Sequence, residues 1–96
     1  MYGLIVKLVI ASGRRGEMIG ILKEGSANMP GCLSYVLAED SADENAIWAT
    51  EVWDSLGSHE ASLSLPTVQN VIPRANQIVS SLEKIAVTSP VFGVAR

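Results

Sequence analysis

The stretch CLSYVLAEDSADENAIWATEVW, residues 32–53, decides the fold. Two runs rich in β-branched and aromatic residues, 32–39 and 46–53, flank the acidic stretch EDSADEN at 39–45. This pattern predicts a hairpin, with the acidic stretch as a solvated turn. In the first run Leu33, Tyr35 and Leu37 alternate with Ser34, Val36 and Ala38. In the second, Ile47, Ala49, Glu51 and Trp53 share one face, and Trp48, Thr50 and Val52 the other.

Upstream, residues 2–11 form an aliphatic strand with Leu4, Val6, Leu8 and Ile10 on one face and Ile5, Lys7 and Val9 on the other. Ser12-Gly13 breaks it and is placed to cap a helix over about 14–28, in which Met18, Ile21, Leu22 and Gly25 recur at helical spacing. Gly16, Gly20 and Gly25 each weaken that helix; they permit close approach to the sheet or a ligand, or are simply tolerated at the surface. Met29-Pro30-Gly31 ends it. Downstream, Asp54 or Ser55 caps a helix to about Leu65, and Pro66 opens a further helical segment over 66–82 that Pro73 should kink or split. Residues 84–94 supply a last strand, with Pro90 marking an edge or bulge. The order β-α-β-β-α-β predicts an α+β fold of ferredoxin-like type: a four-stranded antiparallel sheet with its helices on one face, as a single domain over residues 1–96.

Helices on one face leave the other uncovered, yet both faces of the first three strands carry apolar side chains. The chain is 48% hydrophobic with mean hydropathy +0.29, which is apolar for a small protein. Leaving that sheet face wet would expose an apolar patch larger than monomers usually tolerate. A homodimer stacked sheet on sheet is therefore expected. The net charge of −3 and the scattered basic residues, of which only Arg14 and Arg15 are adjacent, argue against nucleic acid and against a membrane surface. The first apolar run carries Lys7 inside it and its arginines after it, which is not the order of a signal peptide, and it is too short to span a bilayer. With one cysteine, Cys32, no intrachain disulfide forms, and a cytoplasmic protein is expected.

Few residues can carry chemistry. His59 is the only histidine. Placed early in the helix after Trp53, near the positive helix end, it suits a proton acceptor; an ordinary packed or solvated histidine is the plain alternative. Trp53 and Tyr35 can line a ring site or simply fill the core. Glu51 is a carboxylate mid-strand in a sheet covered on both sides, so it needs a partner, for which Lys7 or a second subunit is the plain candidate. One histidine, one cysteine and no clustered carboxylates give no metal site, and SGRRG at 12–16 lacks the spacing of a phosphate-binding loop.

The stretch ATEVWDSLGSHEASLSLPTVQNVI (49–72), following a β-α-β start that contains PGCLSY (30–35), resembles the antibiotic biosynthesis monooxygenase family. The likeness covers nearly the whole chain. Its most specific part is Glu51-x-Trp53, then a helix with a histidine, then the step Leu65-Pro66. The resemblance implies a dimeric α+β barrel with a pocket between sheet and helices. It also implies, for some members, oxygenation of quinols, anthrones or related phenolic rings without metal or flavin. Many members carry the helix histidine nine residues after the tryptophan; here Ser62 stands at that place and the histidine comes three residues earlier, at His59. The two positions share a helical face. A haem-degrading relative would need an Asn–Trp–His set, for which Lys7 or a neighbour stands at the asparagine position, so haem is not expected.

The expected function is thus a monooxygenase without cofactor, acting on a small aromatic or quinol-like molecule. His59 is its candidate catalytic residue; Trp53, Tyr35, Glu51 and Ser62 are its candidate binding residues. A non-catalytic module for a small apolar ligand, and an isomerase or epimerase of a small carbonyl compound, are the competing readings.

Overall fold

The computed structural model describes residues 1–94. The elements are β1 (Tyr2–Ile10), α1 (Arg15–Gly25), β2 (Cys32–Glu39), β3 (Ala46–Trp53), α2 (Leu56–Ser62), α3 (Pro66–Ile78) and β4 (Val79–Thr88). The strands form one antiparallel sheet in the order β2-β3-β1-β4, the ferredoxin-like arrangement. Alternation on β1 sets the layers. Leu4, Val6, Leu8 and Ile10 are buried and join Met18 and Ile21 of α1, Ile47 and Ala49 of β3, and Val71 and Ile78 of α3 in one core. The face opposite the helices carries Ile5, Lys7 and Val9, all half-buried, with Thr50 and Val36 exposed beside them.

Several element boundaries differ from the sequence expectation, for identifiable reasons. The first helix is Arg15–Gly25, shorter than 14–28, and Ser12 does not cap it: Arg14 is the N-cap, without a side-chain cap bond, and Gly13 turns the chain at φ +77°. The third helix stops at Ile78 and the last strand begins at Val79, not at 84. Ile78, Val79 and Leu82 fit a helical period, but their β-branched neighbours pair better: Val79 sits opposite Ile10 and Leu82 opposite Leu8. Pairing with the buried β1 overrides local periodicity. The strand ends at Thr88, so Pro90 lies beyond it; an alanine methyl at Gly3 would meet Thr88 and Pro90. Pro73 sits inside α3 without splitting it. It faces solvent, where water can satisfy the carbonyl its missing N–H leaves free.

The acidic stretch is more ordered than a solvated loop. The Asp40 carboxylate accepts from the backbone N–H groups of Ala42 and Asp43 and, at 2.7 Å, from the Trp48 indole. That indole bond first, then the two backbone bonds, lowers the Asp40 carboxyl to about 2. Arg15, at the start of α1, donates to the carbonyls of Asp40, Asp43 and Ala46 and pairs with Glu39, which ties the hairpin turn to the first helix.

Candidate functional site

The cross-strand register places the site. On the helix side of the sheet, Trp53 lies between Cys32 and Tyr2, and Glu51 between Tyr35 and Leu4. One rung further, Ala49 lies between Leu37 and Val6, and Val6 faces Lys84 of β4. Glu51 and Trp53 therefore look toward the helices, away from the face that Lys7 occupies. The expected Lys7–Glu51 pair is not made, because the two side chains leave opposite faces of the sheet. Lys7 instead lies over the Trp48 ring, its ammonium 5.5 Å from the centroid. Glu51 Oε1 accepts from the Trp53 indole N–H at 3.0 Å, two residues on along the same strand face. Trp53 is buried to 1% exposure, so its indole holds the carboxylate in one place.

The turn from β3 into α2 fixes the histidine. Ser55 caps α2 by accepting from the Ser58 N–H at 3.1 Å, and the Asp54 N–H donates to the Gly31 carbonyl at 2.9 Å. Gly31 takes a left-handed φ of +83°, and a methyl there would strike Ser58 and Asp54, so the loop before β2 closes directly on the start of α2. The His59 ring is held between two aromatic rings. It meets Trp53 edge-on at 5.3 Å between centroids and Tyr2 at 5.4 Å, spacings at which such pairs attract. His59 lies in the second turn of α2, as expected, but the helix has only seven residues, so this is also its last turn and the histidine stands midway between the two ends. Ser62 is buried, and its hydroxyl donates to the His59 carbonyl at 2.6 Å.

These residues share one cavity of about 380 Å³ between the sheet and the helices, at the small end of the range for ligand pockets. All five residues singled out in the sequence (His59, Trp53, Tyr35, Glu51 and Ser62) line it. Its walls are otherwise mainly aliphatic: Leu4, Val6 and Leu8 from β1, Leu22 from α1, and Val68, Val71 and Ile72 from α3. Burial first, then the Glu51 and Cys32 charges, pushes the Tyr35 hydroxyl up to about 12. It therefore stays a hydrogen-bond donor at neutral pH. Burial likewise pushes the Cys32 thiol up, which disfavours a thiolate nucleophile.

Sequence reasoning missed Tyr2, which backs His59, and Lys84, which lines the cavity. Tyr2 was legible: it precedes Leu4 by two residues and so shares its inward face. Lys84 was not, because its direction depends on an irregularity in β4. Among the described residues no group of three or more His, Cys, Asp or Glu is placed to hold a metal ion. No helix among the described residues is long and apolar enough to cross a membrane.

A ferredoxin-like α+β protein with a mainly aliphatic pocket between sheet and helices is the class that this fold and site define. The sequence profile of the antibiotic biosynthesis monooxygenase family matches residues 1–74, and the chain belongs to that family. It is 52% identical to a Chloroflexus aurantiacus J-10-fl protein assigned as an antibiotic biosynthesis monooxygenase, whose crystal structure matches with a TM-score of 0.93 over 98% of this chain and 96% of that one. Two more distant crystal structures carry the same assignment and share the fold. One is from Deinococcus radiodurans, at 21% identity, TM-score 0.79 and coverage of 100% of this chain and 98% of that one. The other is from Caulobacter crescentus CB15, at 16% identity, TM-score 0.84 and coverage of 95% of this chain and 90% of that one. A comparison with curated proteins found no match.

Proposed function

We propose that this protein is a monooxygenase acting on a small aromatic or quinol-type molecule, without metal or flavin, and that it works as a cytoplasmic homodimer of single-domain chains. The observation that carries the reading is convergence: Trp53, Tyr35 and Glu51 from the sheet and His59 from α2 line one cavity. Such a cavity suits a flat ring with a polar substituent. The aliphatic walls and Trp53 take the ring by burial. The Tyr35 hydroxyl donates to a ring oxygen. Glu51, with Oε1 engaged by Trp53, has Oε2 to accept from a ring hydroxyl. His59 takes the proton as the ring gives up electrons. For a quinol the overall change is quinol plus dioxygen to hydroxyquinone plus water, so the substrate itself supplies the electrons. The apolar walls keep competing water out.

Dioxygen uptake with 1,4-naphthalenediol, corrected for autoxidation and run in the presence of a chelator, tests this. Turnover by the wild type that falls on the order of 10²-fold in His59→Ala supports the assignment. Equal turnover by both removes His59 from the chemistry. Ligand-induced melting shifts without uptake point instead to a binding module, and product formed anaerobically points to an isomerase.

A further inference from the structure

Two irregularities in β4 decide what that strand shows to the cavity. Against β1 the register runs Leu4 to Val87 and Ile5 to Ala86, then Val6 to Lys84, so Ile85 is the extra residue of a bulge. A second shift separates Val9 opposite Ser81 from Ile10 opposite Val79. In a regular ladder, alternation from Val87 would turn Ile85 toward the cavity and Lys84 away from it. The bulge reverses that choice. Lys84 stands opposite inward-facing Val6 and lines the cavity, and Ile85 does not. A regular strand would thus have set an isoleucine on this wall; the fold sets a cation there instead, beside Val6, Leu8 and Leu82. Lys84 has no ion-pair partner among the described residues. It is exposed, and a lysine on an apolar wall lays its stem along that wall and keeps its ammonium in water. At the other pole stand Glu51 and Tyr35. Glu51 is on β3 opposite Leu4 and Lys84 on β4 opposite Val6, with β1 between them; two strand spacings across and two residues along give a separation of about 12 Å.

We propose that Lys84 reads a carboxylate on the ligand, so that the pocket takes a hydroxylated aromatic acid lying along the cavity, its carboxylate at Lys84 and its ring hydroxyl at Tyr35 and Glu51. The inference rests on the reading of this cavity as a ring site. Charge also fixes the direction of binding: Glu51 repels a carboxylate from its own end, and Lys84 attracts it to the other. A neutral isostere of the same shape gains from the walls but not from the lysine.

Calorimetric titration with 6-hydroxy-2-naphthoate and with its neutral carboxamide, on wild type, Lys84→Met and Lys84→Arg, tests this. Wild type is expected to bind the acid about tenfold more tightly than the amide, with a preference that shrinks as salt is raised. Lys84→Met should bind both equally, and Lys84→Arg should restore the preference. Lys84 is exposed, so neither change threatens the fold. If the amide binds but wild type shows no preference, or the preference survives in Lys84→Met, the role of Lys84 is overturned while the ring site stands. If neither compound binds wild type, the ring site fails and this inference fails with it.

Discussion

Tyr35 shows how one residue takes its chemistry from its surroundings. Its hydroxyl is buried opposite Glu51, and its ionisation moves from the ordinary 10 up to about 12. The folded value lies above the unfolded one, so the stability linked to this group is intact below pH 10 and is lost as pH rises toward 12. The protein has two tyrosines, Tyr2 and Tyr35. Absorbance at 295 nm during an alkaline titration is expected to contain a component near pH 12 that Tyr35→Phe lacks; if the component lost in Tyr35→Phe lies near pH 10 instead, the placement is contradicted. Glu51 carries a related lesson. A carboxylate in a covered strand announces from sequence that it needs a partner. Which partner it finds depends on face, and face depends on register. Trp53, two residues on along the same strand, was the donor nearest at hand.

At the scale of elements, the three glycines of α1 separate into two kinds. A methyl group at Gly16 or Gly20 would meet nothing, whereas one at Gly25 would come within 2.7 Å of Val71 on α3. Gly25→Ala is therefore expected to destabilise the fold by about 1–2 kcal/mol. Gly20→Ala is expected to stabilise it by about 0.5–1 kcal/mol through helix propensity alone. Urea denaturation distinguishes the two, and equal effects would show that α1 and α3 do not close on Gly25. Spacing in the sequence offered all three glycines alike, because close approach is a property of two helices and not of one. The same limit explains the fourth strand. The hairpin from Ser34 onward and the inward row Leu4, Val6, Leu8 and Ile10 could be read by alternation, since both are regular. Alternation failed at Leu33, 58% exposed beside a register shift in β2, and again along β4. In each case an extra residue breaks the period that the reading relied on.

For the whole molecule, the question is what lies on the sheet face that the helices leave open. Val36 is exposed there, in line with Thr50 and Ile5 of the neighbouring strands. If two copies stack through this face, Val36→Asp places two carboxylates in an apolar contact and should convert a dimer to a monomer in sedimentation equilibrium, with the cavity on the far side still able to bind its ring ligand. A wild type that sediments as a monomer would end the dimer proposal and leave the pocket untouched. The two sheet faces thus answer to separate measurements. The bulge at Ile85 has a further bearing, on how the chain tolerates a change of length. In an ordinary strand the loss of one residue inverts every side chain beyond it. Here the loss of Ile85 would make Lys84 and Ala86 neighbours in an unbroken ladder, each keeping its present side. At this place in β4, a homologue could be a residue shorter and still present the same residues to the pocket.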